Sequence, residues 1–218
     1  MTDQQAKKFT NDIFDHIRKA KTISGIEMVS EIMCIPVKNR IRDEDYPRID
    51  FSINKSEIQS LIDSNALDDN LNFTKDITSK LSDPLTKLLY ATAWKNGDLK
   101  KIKHIINGII ATGDQSSDQD EALVFYQFGK YLTKVSGEPI IDQHVIRAFA
   151  IYKSTDLEQV ARLRQLKMID KRHKSIIQKY KEWLTSPELT SELKNEKDYT
   201  YHIDKLLFAT GKTIKHRS

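Results

Sequence analysis

The sequence contains few of the residues that form disulfides, tight turns and membrane spans. Cys34 is the only cysteine, which excludes an internal disulfide. Seven glycines and five prolines in 218 residues are too few for an all-β sandwich, which needs a turn about every eight to twelve residues. The chain opens with a polar run, has no apolar segment long enough to span a membrane, and shows no zinc-type spacing among its six histidines. These absences predict a cytoplasmic protein that uses neither a metal nor a cofactor.

Apolar residues recur at helical spacing through most of the chain. Residues 4–20 form one amphipathic pattern, and Asp83-Pro84 places a capping carboxylate before a proline at the first helical position. The helix that follows carries a stripe formed by Leu85, Leu88, Leu89 and Thr92. Further helices are predicted over 54–66, after the cap Asp98, and over 119–135, 142–153, 156–168, 171–185 and 199–210. The pattern therefore predicts a mainly α fold of about ten helices.

Residues 35–53 interrupt this helical pattern. Pro36 and Pro47 indicate an irregular connection, while the alternation over 49–53 predicts a short strand. A second interruption, the polar run over 113–118, predicts a loop. We divide the chain into an N-terminal helical and irregular subdomain, 1–80, and a multi-helix core, 81–218.

The positive charge is concentrated in the last third of the chain. Residues 147–218 contain 16 Lys and Arg against 9 Asp and Glu, a net charge of +7. The corresponding counts are 12 against 14 in residues 1–82 and 7 against 8 in residues 83–146. Such a bias indicates a polyanionic partner, of which nucleic acid is the commonest, or alternatively a solvated lysine-rich surface.

Two charged side chains stand out against apolar surroundings. Lys130 lies in a helix that is apolar almost all round, and Asp142 follows Pro139 at the predicted start of the next helix. Asp142 is suited to stabilising a positive charge, but the same position is also that of an ordinary helix cap. Lys130 is either a reactive amine or a buried lysine paired with an acid.

The residues around this pair resemble a known family. Gly129-Lys130, followed by Pro139-x-x-Asp142-x-x-Val145-x-Arg147, is similar to the end of the core motif in the helix-hairpin-helix DNA glycosylases, the superfamily of endonuclease III and the 8-oxoguanine glycosylases. The closing segment 201–212 resembles their last core helix. The resemblance spans residues 83–212, but the family's Leu-Pro-Gly-Val-Gly hairpin and its four-cysteine iron–sulfur motif are both absent.

The resemblance implies a hydrolase of base excision repair that binds double-stranded DNA and excises a modified or damaged base. Asp142 would stabilise the cationic sugar and orient water, and Lys130 would form a Schiff base at C1′. The extruded base would enter a pocket that includes Trp94, Gln127 and His144. The DNA phosphates would be bound by the basic residues Arg147, Lys153, Arg162, Arg164, Lys167, Lys171, Arg172 and Lys174. Neither a membrane nor a metal is expected as a partner.

The missing hairpin motivates a second hypothesis of a different class. On the same scaffold, the chain would be a catalytically inactive helical module that binds nucleic acid or protein. The two hypotheses differ in whether Lys130 and Asp142 converge on an open pocket. A structural protein without any link to nucleic acid is the third alternative.

Overall fold

The computed structural model describes residues 1–113 and 120–216 and is mainly helical, as predicted. Within those residues the α-helices are α1 Asp3–Lys19, α2 Ile23–Ile32, α3 Lys55–Asp63, α4 Ile77–Lys80, α5 Pro84–Lys95, α6 Leu99–Ile110, α7 Leu123–Leu132, α8 Gln143–Lys153, α9 Leu157–Arg164, α10 Lys174–Thr185, α11 Ser191–Asn195 and α12 Tyr199–Ile214. Two 3-10 helices, Val37–Asn39 and Lys171–His173, complete the order. Residues 114–118 of the predicted loop, and residue 119, lie outside the described ranges.

Side-chain caps explain where several of these helices begin. Asn54 caps α3, and its side-chain Oδ1 accepts from the backbone N–H groups of Ser56 and Glu57. Asp83 caps α5 by accepting from the N–H of Thr86 at 2.6 Å, with Pro84 in the first turn. Helix α6 starts after Asp98, as predicted, but the Asp98 side chain makes no capping bond.

The strand predicted over 49–53 does not form, so that prediction was wrong. These residues have no regular secondary structure, and the N–H of Ile53 donates to the carbonyl oxygen of Leu132 at 3.0 Å. The physical reason is the lack of a partner, since a strand is stable only when a neighbouring strand pairs with its backbone. Within residues 1–113 and 120–216, the one β-type pairing is an isolated bridge between Leu67 and Phe73. The irregular connection expected over 35–53 is otherwise observed.

The chain divides into two compact units. The first combines Met1–Ile49 with Ser136–Ser218, and the second is Asp50–Val135. The first unit is therefore assembled from both ends of the chain, and neither boundary coincides with the division at 80/81 expected from the sequence. Both segments of the first unit contribute to a common core, which a division by composition along the chain cannot reveal.

The first unit is organised around α8. Every residue from His144 to Ile151 is buried, and α12, α1 and α9 pack against this helix. The approach of α12 to α8 is close at Gly211, where an added Cβ would lie 1.9 Å from the carbonyl oxygen of His144. Only glycine permits this distance between two helix backbones. An aromatic cluster adds to the same core, with Phe14 stacked on Tyr152 at 3.9 Å between ring centroids.

The second unit contains a similar close approach between α6 and α7. An added Cβ at Gly108 would lie 1.9 Å from the carbonyl oxygen of Tyr126, and one at Gly129 would lie 2.0 Å from that of Ile105. The apolar cluster beneath the crossing is formed by Ile58, Leu67, Ile106 and Ile109. Helix α5 differs from its neighbours because none of its residues is buried. The predicted leucine-rich stripe of α5 thus exists but faces solvent.

Candidate functional site

Asp142 lies at the N-terminus of α8 and caps it. Its backbone is extended, with φ −136° and ψ 159°, and its carboxylate accepts from the backbone N–H of His144. The side chain is half-buried, and no ion pair to it is found in residues 1–113 and 120–216. The partial positive charge at a helix N-terminus favours an anionic group there. This geometry fits the capping role of Asp142.

The loop that leads to Asp142 is anchored to two helices of the same unit. Glu138 pairs with Lys181 of α10 at 2.9 Å, with side-chain exposures of only 11% and 20%. Two residues later, the N–H of Ile140 donates to Oδ2 of Asp204 on α12 at 2.6 Å. The position of Asp142 is therefore set by contacts on either side of Pro139 as well as by its own helix.

Asp204 is a buried carboxyl that is not among the site residues predicted from the sequence. Its Oδ1 accepts from the hydroxyl of Tyr180 at 2.6 Å. Burial raises the pKa of Asp204 to about 8, although the hydrogen bonds from Tyr180 and Ile140 act in the opposite direction. Burial also raises the pKa of Tyr180. The available sequence signal was the apolar context of Asp204 on α12, between Ile203 and Leu206.

Arg147 is buried within the first unit and bridges three segments of it. Its Nη1 donates to the ring Nδ1 of His144 and, at 3.0 Å, to the carbonyl oxygen of Gly211. Its Nη2 donates to the carbonyl oxygen of Leu166. Burial lowers the pKa of Arg147 to about 10, with Asp142 acting in the opposite direction, and burial also lowers the pKa of His144. The arginine thus connects the start of α8 to the segment that follows α9.

That segment borders a cleft of about 670 Å³ in the first unit. We call it the basic cleft; its lining residues are Asp156, Gln159, Arg162, Leu163, Leu166, Lys167, Met168, Asp170, Arg172 and His173. Helix α9 with its cap Asp156, the linker 165–170 and the second 3-10 helix each contribute to it. Three of the predicted DNA-binding residues, Arg162, Lys167 and Arg172, are therefore brought together.

Two of these three cations have acidic neighbours. Arg162 pairs with Glu158 one turn earlier at 2.9 Å, and both side chains are more than two-thirds exposed. Arg172 pairs with Asp170, and this contact holds the pKa of Asp170 well below its usual range. Lys167 is exposed and has no ion pair in the described part of the chain. Exposed pairs of this kind contribute about 0–1 kcal/mol, so a phosphate group can compete for both arginines.

The two buried arginines contradict the predicted set of phosphate contacts. Arg147 is 0% exposed, and its guanidinium is used by the internal acceptors described above. Arg164 is 5% exposed and donates to Asp3, to the carbonyl oxygen of Met1 at 2.9 Å and to that of Ile214 at 2.8 Å. Both predictions were wrong because these cations stabilise the interior of the first unit instead of its surface.

The remaining predicted phosphate contacts lie on the surface. Lys171 is exposed and Lys174 is half-buried, both beside the basic cleft in sequence. Lys153 lies at the end of α8, where it pairs with Glu188 at 3.4 Å and covers the ring of Tyr152 at 4.8 Å. Their positions leave their predicted role open to experiment.

Lys130 is not placed for the role of nucleophile. It is 8% exposed in α7, with its Nζ 5.2 Å from the centre of the Tyr126 ring. Helix α7 continues through Gly129, which serves the close approach to α6 and not a hairpin. An amine so enclosed cannot reach a sugar carbon in this conformation, so we give Lys130 no catalytic part.

Two of the three residues of the predicted base pocket, Gln127 and His144, are buried. Gln127 is 4% exposed inside α7, whereas Trp94 is 66% exposed on α5. His144 belongs to the first unit, where its ring contacts Phe208 edge-on at 5.0 Å and its Nδ1 accepts from Arg147. Burial of Gln127 and of His144 removes the surfaces that a flipped base would need, and that prediction is corrected.

Metal-binding clusters and membrane-spanning helices are both absent from residues 1–113 and 120–216. In the part of the chain that the structure describes, no group of three or more His, Cys, Asp or Glu side chains is arranged to hold a metal ion. Each described helix is also too short or too polar to cross a bilayer.

Comparison with known proteins assigns no family to this geometry. No protein-family model, curated protein or solved structure matches the chain. The likeness to the helix-hairpin-helix glycosylases therefore stays a prediction that rests on residues 129–147 and 201–212.

Proposed function

We propose that the chain is a nucleic-acid-binding protein whose contact surface is the basic cleft. The observation that carries this proposal is the convergence of Arg162, Lys167 and Arg172 on one cleft of about 670 Å³. Three Lys and Arg side chains line the cleft, together with two carboxylates, Asp156 and Asp170. Guanidinium groups bind phosphate oxygens with two parallel hydrogen bonds, and lysine adds a point charge.

The linker that carries Lys167 is held at both ends, which suits a preformed binding surface. On one side the buried Arg147 donates to the carbonyl oxygen of Leu166. On the other side Asp170 caps the second 3-10 helix by accepting from the N–H of Arg172 at 3.0 Å. A surface that is already ordered loses less conformational entropy when a ligand binds.

Binding of a fluorescent DNA duplex and a single strand, followed by anisotropy, tests the proposal. Neutralising phosphates releases counterions, so affinity should fall steeply between about 50 and 200 mM salt. The double variant Lys167→Gln/Arg172→Gln should weaken binding and reduce the slope of log K against log salt by about 2. The matched control Lys8→Gln/Lys19→Gln removes the same charge from exposed positions on α1. It should leave the affinity and the salt slope unchanged. A salt-independent or absent interaction would rule out this function.

A second candidate function, excision of a base by cleavage of the N-glycosidic bond, is favoured by the position of Asp142. Its carboxylate is half-buried at a helix N-terminus, and Arg147 connects the first turn of that helix to Leu166 in the basic cleft. A carboxylate near bound nucleic acid can stabilise the cationic sugar and orient water. Lys130 is excluded from this scheme, so the reaction would be hydrolytic.

Release of free bases from DNA with varied lesions tests this second function. Asp142→Asn keeps a good helix cap but removes the charge, so base release should fall at least about a hundredfold while thermal stability is kept. Asp83→Asn is the matched control, because Asp83 likewise caps a helix, α5, by accepting from the N–H of Thr86 at 2.6 Å, and it does not line the basic cleft. Equal activity in the two variants would exclude catalysis by Asp142.

A further inference from the structure

A smaller cavity, of about 220 Å³, lies in the first unit between α2 and α12; we call it the α2–α12 crevice. Three of the residues that line it, Ile26, Leu206 and Ala209, are at most 3% exposed and form its apolar floor. His202 and Lys205 line the crevice together with Leu206 and Ala209, because positions i, i+3, i+4 and i+7 lie on one side of a helix. Sites for drug-sized ligands measure about 300–1,000 Å³, so this crevice suits a smaller molecule.

Arg40 supplies the crevice with a positive charge that backbone groups hold in place. Its Nε donates to the carbonyl oxygen of Ile35 at 2.9 Å, and its Nη2 donates to that of Ser30 at 3.1 Å. Its Nη1 donates to Glu31, whose side chain is 75% exposed, whereas that of Arg40 is 20% exposed. The carbonyl groups fix the guanidinium without neutralising it, and an ion pair with so exposed a partner is weak. The charge of Arg40 therefore remains available to an anion.

Lys205 provides the second positive charge of the crevice. It pairs with Asp43 at 2.5 Å, and the side chain of the lysine is 25% exposed, whereas that of Asp43 is 70% exposed. Here too the cation is largely covered and its acidic partner lies largely in solvent. An anion enclosed in the crevice would be screened less by water than Asp43 is, so it would compete for the lysine.

His202 adds a polar group that lacks a hydrogen bond. Its Nδ1 is buried and lies 3.1 Å from Oε1 of Glu27, but neither this carboxylate nor any other group in residues 1–113 and 120–216 is aligned to form a hydrogen bond with it. Burial lowers the pKa of His202, although Glu27 acts in the opposite direction, so the ring is uncharged at neutral pH. A neutral imidazole can form hydrogen bonds with a ligand without adding a charge to the site.

We propose that the α2–α12 crevice binds a small carboxylic acid with an apolar chain. The chain would lie on the apolar floor, and the carboxylate would pair with Arg40 and Lys205. The lining contains these two cations against one carboxylate, that of Glu27, which is 56% exposed, so the balance of charge favours an anion over an amine. The crevice shares no lining residue with the basic cleft, so this binding does not depend on the proposed interaction with nucleic acid.

Hexanoate is a suitable probe, because it combines one carboxylate with a short alkyl chain. Titration of the full chain, followed by NMR of its backbone amides, should give saturable shifts concentrated in residues 26–30 and 202–209. We expect a Kd of about 1 mM, which is reasonable for so small a ligand. Hexylamine has the opposite charge and acetate has almost no chain, so each should bind at least about tenfold more weakly.

Substitutions in the crevice test the assignment in both directions. Lys205→Gln should weaken hexanoate binding about tenfold, whereas Glu27→Gln should strengthen it by roughly threefold, a gain that misfolding cannot produce. Lys212→Gln is the matched control, because it removes a lysine from the same helix at a position that does not line the crevice. Hexylamine bound as tightly as hexanoate, or no saturable binding of hexanoate, would overturn the proposal. So would an unchanged affinity in Lys205→Gln, or shifts confined to the basic cleft.

Discussion

The guanidinium of Arg147 donates to the carbonyl oxygen of Leu166, so a fully buried cation supports the backbone of the linker beside the basic cleft. Lys167 follows Leu166 directly. The sequence predicted that this arginine contacts DNA, yet its guanidinium is enclosed in the first unit. It satisfies backbone acceptors that would otherwise be buried without a partner, and it fixes the chain that presents Lys167.

Replacing Arg147 by methionine, a side chain of similar length, should lower the free energy of unfolding by about 3 kcal/mol. The cause is loss of the hydrogen bonds to Gly211 and Leu166, which leaves two interior carbonyl groups unpaired. Urea denaturation followed by circular dichroism measures the change. Arg162→Met is the control, because that arginine is 72% exposed and its loss should alter stability by less than about 0.5 kcal/mol. Equal stability of the two variants would show that Arg147 is not a structural residue.

Gly211→Ala should destabilise the protein by about 2 to 3 kcal/mol, since the new methyl group would lie 1.9 Å from the carbonyl oxygen of His144. The backbones of α8 and α12 would have to separate. Gly25→Ala in α2 is a matched control, because its added Cβ would be 3.5 Å from the nearest atom and alanine favours a helix. The melting temperature should therefore fall for Gly211→Ala and rise slightly for Gly25→Ala.

Local features of the fold were predictable from the sequence. The starts of α5 and α8 follow from Asp83-Pro84 and from Asp142, because a cap and the helix it begins are adjacent in the chain. The contacts that shape the site are remote in sequence. Asp204 and Ile140 are 64 residues apart, and Arg164 and Asp3 are 161 apart. A single sequence gives no information about which of its distant residues meet.

The sequence predicted where each cation lies along the chain, but not whether its side chain faces solvent or the interior. Arg162 and Arg164 are two residues apart on α9, so their side chains are separated by about 200° around the helix axis. One is exposed at the basic cleft, and the other is enclosed against Asp3. Choosing which arginine faces solvent requires knowing where α1 packs, and this depends on the whole first unit.

Asp204 should make stability depend on pH between about 5 and 8. Its pKa is about 8 in the folded chain and near 3.8 when unfolded, so the folded state retains a proton that the unfolded state has released. The stabilising contribution of Asp204 is complete at a pH below its pKa in the unfolded chain. It is lost as the pH rises through its pKa in the folded chain. The loss amounts to a few kcal/mol across this window.

Melting temperatures of the wild type and Asp204→Asn at pH 5, 6.5 and 8 measure this contribution. The difference in melting temperature between the two proteins should narrow as the pH rises. The wild type loses stability when Asp204 releases its proton, whereas asparagine has no proton to lose. Asp170→Asn is the control. The pKa of Asp170 is lowered, so its titration lies below the window and the difference from wild type should be constant across it. Parallel curves for wild type and Asp204→Asn would contradict a raised pKa.

Alanine variants of Gly129 and Gly211 test whether the two compact units unfold separately. Gly129→Ala would place a Cβ 2.0 Å from the carbonyl oxygen of Ile105 in the second unit, while Gly211→Ala perturbs the first. Because each unit has its own buried core, we expect backbone hydrogen exchange to accelerate by roughly thirtyfold within 50–135 for Gly129→Ala, corresponding to about 2 kcal/mol. For Gly211→Ala the acceleration should fall in 1–49 and 136–216. If either variant accelerated exchange equally throughout the chain, the units would unfold as one.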